Sequence, residues 1–191
     1  MSQAHATPGT PRPTDVTVSL IPSRDLGAAC SAALREMLLR SYDNDFTEQD
    51  WQHAHGGTHV LILHSAAIIA HAAVVPRRIT FDDRPFRAGY VEAVAVDPAY
   101  QGQGLGSKVM TAAAGIIDAH FDLGVLSTGS AAFYERLGWV VWAGPSVVRR
   151  ANGLFRSHDD DGGIMVRLGS RPTAIALTAT IGCDDRAGDA W

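Results

Sequence analysis

Cys30 and Cys183 are the only thiols in 191 residues, too few for a disulfide framework or a four-cysteine zinc site. No apolar run approaches the roughly 18 residues that a membrane-spanning helix needs. The longest candidate, 66–75, is short and interrupted by His71. Segment 1–14 lacks a charged start followed by an apolar stretch, so it does not read as a secretion signal. Its three prolines among small polar residues make it a disordered leader. Lysine is nearly missing: Lys108 stands alone among 16 basic residues, an arginine bias that fits GC-rich coding. What is left is a single domain over 15–191, with 46% hydrophobic residues for a sizeable core. No membrane association is expected, and a cytoplasmic location is.

The net charge of −4 hides an uneven distribution. Segments 43–50, 159–161 and 184–189 hold half of the 20 acidic residues and a single base, Arg186. The rest of the chain carries a net positive charge. Two readings are open. Each segment is a solvated loop, or the fold gathers them into a focused negative field, which suits a polycationic ligand and argues against nucleic acid.

Hydrophobic periodicity gives a mixed α and β chain in the order β-α-β-β-β-α-β-α-β-β, with a curved sheet. Val16, Val18 and Leu20 alternate in a strand over 15–21, and Ser23 is expected to cap a helix over 26–42. The polar segment 43–57 contains a short helical turn. Thr47 and Asp50 resemble its capping box, a role that competes with any ligand role for Asp50. Strands over 58–64 and 67–81 form a hairpin at Ser65 and Ala66, and Asp82 and Asp83 turn the chain towards a strand over 90–96. A helix over 105–121, a short strand at 125–126, a helix over 131–137 and a strand over 139–142 follow. Segment 151–163 reads as a loop, and 164–168 and 174–181 as late strands.

Between the 90–96 strand and the 105–121 helix lies Gln101-Gly102-Gln103-Gly104-Leu105-Gly106. Glycines there let backbone N–H groups approach a ligand, and the helix start adds a positive dipole end, so phosphate or pyrophosphate is the natural guest. It is not a P-loop, because no Gly-Lys-Ser/Thr follows. Ser107 stands where a dinucleotide fingerprint needs its third glycine. On its own the loop is equally well a turn. Together with Tyr90-Val91-Glu92-Ala93-Val94-Ala95-Val96, Asp97-Pro98 and the later Phe133-Tyr134-Glu135-Arg136-Leu137-Gly138-Trp139, it resembles the GNAT acetyltransferase superfamily. Asp45 to Trp51, Gly89 to Glu92, Asp159 to Gly162 and Arg186 to Trp191 narrow the resemblance to the aminoglycoside 2′-N-acetyltransferases of mycobacteria and relatives. It covers essentially the whole domain.

The resemblance implies the GNAT fold, a curved mixed sheet flanked by helices with acetyl-CoA in the splay between its central strands. It also implies a homodimer. Gln101, Gly102, Gln103, Gly104, Leu105, Gly106 and Ser107 would hold the pyrophosphate, and the backbone of Val94, Ala95 and Val96 would pair with the pantetheine arm like an added strand. Glu92 would take the proton of the attacking amine through a water, its basicity raised by burial in an apolar strand. On an alternating strand it would instead face solvent. Tyr134 would stabilise the departing thiolate or donate a proton to it. Asp45, Asp50, Asp160 and Asp189 would pair with ammonium groups of the sugar, Trp191 would offer an α-carboxylate, and Asp159, Ala93 and Ser127 would border the substrate site. Asp159 and Asp161 are expected to be solvated flanks of Asp160. Ala93 stands where the family commonly has glycine, and 127–133 is about two residues shorter than in relatives.

No metal site is expected. His53, His55, His59, His64 and His71 crowd one region without zinc-helix spacing, and Asp159-Asp160-Asp161-Gly162 lacks the alternating ligands of a calcium loop. A GNAT acting on another polycationic amine, or an idle acyl-CoA or cation-binding module, are the competing functions.

Overall fold

The computed structural model of the chain describes residues 15–169 and 175–191. The expected leader, 1–14, lies outside them. Among the described residues, ten strands form one curved mixed sheet: β1 (Val16–Pro22), β2 (Thr58–His64), β3 (Ala67–Phe81), β4 (Arg84–Val96), β5 (Leu123–Ser127), β6 (Val140–Val141), β7 (Ser146–Arg150), β8 (Gly153–Arg156), β9 (Ile164–Leu168) and β10 (Ile181–Asp184). Four helices accompany it: α1 (Ala28–Ser41), α2 (Glu48–His53), α3 (Leu105–His120) and α4 (Ala131–Glu135). The main path runs β6-β9-β5-β4-β3-β10-β7-β8, and β2, carrying β1, shares the second edge of β3 with β10.

The two-residue period of β2 explains the layering. Val60 and Ile62 face α3 in one core cluster with Val74, Val91, Val109 and Ile117, while Leu61 joins Leu34, Met37, Leu38 and Trp51 of α1 and α2 on the other side. A third cluster, with Phe81, Tyr90, Trp142 and Trp191, fills the half of the sheet around β7, β9 and β10. A Cβ on either Gly89 or Gly124, which are register partners, would meet Ile117 at 2.9 Å. These two glycines therefore let α3 lie close to the sheet where β4 and β5 pair.

That pairing is brief. β4 and β5 run parallel and bond only over Ala88–Tyr90 and Leu123–Val125, then separate. Beyond Tyr90, β4 keeps β3 on one side and, among the described residues, has no strand on the other. Just past the point of separation, the register with β3 slips between His71 and Ala73. Ala95 faces His71 and Glu92 faces Ala73, which leaves Ala93 and Val94 in a bulge on β4. Ala93 adopts φ 51°, a left-handed conformation that disfavours a residue with a Cβ by about 1–2 kcal/mol.

Several expectations are corrected. Ser23 does not cap α1, whose N-cap is Gly27. Ser23 instead opens a single 3₁₀ turn, and its hydroxyl is turned to Gly57 and His59. The expected loop 151–163 contains β8, paired with the unanticipated β7. The late strand placed at 174–181 sits at Ile181–Asp184: its partners lie on β3 and β7, and residues 175–180 form a turn that feeds it. Residue 174 lies outside the described residues.

Candidate active site

The separation of β4 from β5 opens a cleft of about 990 Å³. One wall is the unpaired edge of β4, where Tyr90 to Val96 all line the space. A regular strand would show alternate residues; the bulge at Ala93 interrupts that alternation. The opposite wall is Leu126 and Ser127 of β5, the loop 128–130, and Phe133 and Tyr134 of α4. At one end stand Gln101, Gly102, Gly104, Leu105, Gly106 and Ser107, and at the other Tyr42, Asp45, Phe46, Asp50 and Trp191. Gln103 belongs to the glycine loop but is not among the lining residues.

The glycine loop has a physical reason for its composition. Gly102 and Gly104 take φ 73° and 77°, left-handed values that glycine adopts without steric cost. Gly104 is also the N-cap of the 16-residue α3. A Cβ on Gly106 would meet Phe133 Cζ at 3.3 Å, so the first turn of α3 lies tight against α4. The opening amides of α3 have no intrahelical partner, and they stand at the cleft beside the positive end of the helix dipole. These features fit acetyl-CoA: a flexible amide-bearing arm for the open β4 edge and a pyrophosphate for the loop. Tyr42 qualifies the edge, because its hydroxyl donates to the Val94 carbonyl at 3.0 Å. Gln101 Nε2 likewise donates to the Val96 carbonyl at 3.3 Å, so two of the three expected backbone positions already have a side-chain partner.

Glu92 is neither solvated nor alone. Its Oε1 accepts from Arg186 Nη1 at 2.7 Å, and both side chains are largely buried. Arg186 also lies over the Tyr90 ring and donates from Nε to the Asp189 carbonyl at 2.7 Å. The expected apolar isolation of Glu92 is therefore replaced by an ion pair with the tail. Arg77 donates to the carbonyls of Asp184 and Ala190, and His53 contacts the Ala187 carbonyl, fixing the tail across β3, β4 and α2.

Tyr134 is 8% exposed. Burial raises its phenol above the ordinary value, and a Thr128 hydrogen bond only partly offsets this, so the phenol keeps its proton at any working pH.

The acids separate into groups. Asp45 and Asp50 line the cleft. Asp50 completes the capping box of α2 as well, accepting from the Thr47 amide and hydroxyl at 2.8 and 2.7 Å. The capping reading of Asp50 is therefore correct, and the same residue borders the cleft. Asp159, Asp160 and Asp189 are not among the lining residues; the loop of the first two adjoins Ser127 through Thr128 and Gly163. Asp161 is exposed, as expected of a solvated flank, and is also paired: it accepts from Arg156 at 2.6 Å and from the Ser146 hydroxyl and amide. The Arg156 guanidinium, with Ser146, holds its carboxyl far below the usual range. Asp184 and Asp185 are likewise neutralised, by Arg78, Arg149 and Arg150. The concentrated negative charge of the cleft is thus Asp45 and Asp50, with Glu92 held by Arg186. Among the described residues, no group of three or more His, Cys, Asp and Glu is placed to hold a metal.

Sequence reasoning missed Tyr42, Phe46, Tyr100 and Phe133, which also line the cleft. Tyr42 and Tyr100 sit just after α1 and before the glycine loop, where aromatic residues in polar segments were the available signal.

Comparison with known proteins agrees with this geometry. Residues 29–139 match the model of the acetyltransferase (GNAT) family. An aminoglycoside 2′-N-acetyltransferase of Mycolicibacterium fortuitum is 41% identical over 179 residues, covering 92% of each chain. The structure of a GNAT family N-acetyltransferase (YhbS) from Escherichia coli in complex with CoA superposes with a TM-score of 0.66 at 14% identity, covering 94% of this chain and 93% of that one. The E. coli ribosomal-protein-S18-alanine N-acetyltransferase gives 0.56 at 17% identity, over 84% and 99%. The structural likenesses carry the fold, and the M. fortuitum relative carries the branch: the chain belongs to the acetyltransferase (GNAT) family, alongside the aminoglycoside 2′-N-acetyltransferases.

Proposed function

We propose that this chain transfers an acetyl group from acetyl-CoA to the 2′-amine of aminoglycosides by direct attack of the amine. The observation that carries the reading is the meeting, in one cleft, of the unpaired β4 edge and glycine loop with the carboxylates of Glu92, Asp45 and Asp50. When bound, acetyl-CoA supplies an acetyl group activated as a thioester. The opening amides of α3 and the Gly102–Gly104 backbone hold its pyrophosphate, and the free backbone groups of β4 receive its amide arm.

The nucleophile must be a neutral amine, so an ammonium ion has to lose a proton first. Glu92 is the base, reached through a water. An arriving ammonium meets a carboxylate already engaged by Arg186, so substrate cation and protein cation compete for it. Asp45 and Asp50 hold other ammonium groups of the ligand and place the reacting amine. Tyr134 keeps its proton because burial raises its phenol, and it donates a hydrogen bond to the sulfur as negative charge develops there. Neutralising a drug amine in this way would confer resistance. Dependence on the acetyl-CoA pool supports a cytoplasmic location, and light scattering would read the homodimer that the resemblance implies.

The test follows CoA release with gentamicin and tobramycin, which carry a 2′-amine, against kanamycin A and amikacin, which carry a 2′-hydroxyl. Turnover confined to the first pair supports the reading. Turnover of both pairs moves the target amine. Silence with all four, while acetyl-CoA still binds, overturns the aminoglycoside assignment.

A further inference from the structure

His59 on β2 and His71 on β3 are both fully buried, on the face covered by α1 and α2. His71 opposes Leu61, so the two histidines are diagonal neighbours across the strand pair. His71 Nδ1 lies 2.7 Å from the Ala93 carbonyl oxygen, and His71 Nε2 lies 2.9 Å from His59 Nδ1. His59 Nε2 reaches Ser23 Oγ at 3.0 Å.

The hydrogens in this chain can be assigned from chemistry alone. A carbonyl only accepts, so His71 Nδ1 carries a hydrogen. Burial, reinforced by the neighbouring imidazoles, lowers His71 to about 3 and His59 to about 4, and both are neutral at physiological pH. His71 Nε2 must then accept from His59 Nδ1–H, and His59 Nε2, left without a hydrogen, can only accept, so the single Ser23 hydroxyl hydrogen is assigned to it rather than to the Gly57 carbonyl 3.1 Å away. Ser23 Oγ in turn accepts the amides of Gly56 and Gly57 at 3.1 and 3.2 Å. Every bond runs in one direction, and the last acceptor is Ala93. A carbonyl cannot pass a proton on, so the chain is not a proton wire.

Its end point is the bulge residue with φ 51°, a conformation that an alanine keeps only when its surroundings hold it. The bulge takes the carbonyls of Ala93 and Val94 out of the ladder with β3. His71 supplies the first with a donor and Tyr42 the second. We propose that His71, backed by His59 and Ser23, is a positioning residue for acetyl transfer: by holding the Ala93 carbonyl it fixes the β4 bulge that presents Glu92 and the β4 edge to the cleft.

This inference rests on the acetyl-transfer reading of the same cleft, and its test separates the two. In His71→Asn the side-chain amide sits where Nδ1 was and can still donate to Ala93. In His71→Gln the polar end sits where Nε2 was and keeps only the His59 contact. Steady-state CoA release with tobramycin should show His71→Asn within about threefold of the parent kcat. His71→Gln should lose about tenfold, equivalent to about 1.4 kcal/mol, with the KM for acetyl-CoA within about twofold in both. His71→Leu should lose at least as much as His71→Gln. A second readout needs no turnover: the Ala93 Cα and Cβ NMR shifts report its left-handed backbone, which should persist in His71→Asn and be lost in His71→Gln. Equal activities and unchanged Ala93 shifts in the Asn and Gln variants would overturn the proposal. A parent enzyme silent towards tobramycin would count against the aminoglycoside reading and leave the Ala93 shifts to decide this one.

Discussion

Arg186 Nη1 lies 2.7 Å from Glu92 Oε1, joining two side chains 94 positions apart in the sequence, of which Glu92 lines the cleft. Desolvated pairs of this kind stabilise little as pairs, but leaving one partner alone is costly. Arg186→Ala should lower unfolding stability by about 2 kcal/mol, between the values for surface and buried pairs. The same variant frees the Glu92 carboxylate for an arriving ammonium, so the KM for the aminoglycoside should fall several-fold. Urea titration and steady-state kinetics read the two effects separately. A KM that rises would mean that Arg186 contacts the ligand rather than competing with it.

Glu92→Gln keeps the shape and removes the base. General-base catalysis typically contributes about 10²–10⁴-fold, so kcat should fall by at least about 10²-fold near neutral pH. The pH–rate profile should also lose its acidic limb. A variant with the parent profile would take the base assignment away from Glu92.

Stability should depend on pH through His59 and His71. Their folded values, about 4 and about 3, lie below the ordinary value of 6.5. The unfolded chain therefore binds more protons than the folded one below about pH 6.5, and stability falls as the medium is acidified. Between about pH 6 and 4 the two groups together give a slope of up to about 2.7 kcal/mol per pH unit. The His55 ring also faces His59, at 5.5 Å. Chemical denaturation at pH 7 and pH 5 checks this; His71→Asn should remove roughly half of the slope.

Asp161 and Asp45 should behave oppositely. Asp161→Asn weakens the exposed pairing with Arg156 while its amide oxygen can still accept from Ser146, and should lower stability by at most about 1 kcal/mol with the KM for aminoglycoside nearly unchanged. Asp45→Asn should leave stability within about 0.5 kcal/mol and raise that KM several-fold, with acetyl-CoA unaffected. Thermal melts and kinetics on both variants distinguish a structural acid from a ligand-binding one.

Where short-range patterns governed, the sequence was readable. Ser65 and Ala66 take φ 47° and 69°, the twisted turn that the hairpin required, and the Thr47–Asp50 box is present. The glycine loop was legible because positive φ and close approach both demand glycine. What escaped depends on partners far along the chain. β10 is a strand because β3 and β7 flank it, and no local pattern distinguishes its four residues from the turn before them. Arg186 sits among acids in sequence, yet in space it belongs to Glu92. The histidine pair needs the β2–β3 register before its rings can be seen to meet. One miss did have a local signal: Asn152 in the two-residue turn and Gly153 at the start of β8 are turn-favouring residues at the β7–β8 hairpin.

The unpaired stretch of β4 has a consequence for solubility and selectivity together. An exposed strand edge is a template on which any extended polypeptide can add itself, and proteins usually blunt such edges with charge, proline or a covering element. Here the bare edge lies inside the sheet, with β5 and α4 standing across a gap. A neighbouring protein's strand, bearing side chains on both faces, would have to enter between those walls, whereas a slender single-chain amide needs far less room. The fold can therefore keep an edge that no strand completes, with side chains such as Tyr42 bonding part of it, and the gap between β4 and β5 decides which molecules complete the sheet.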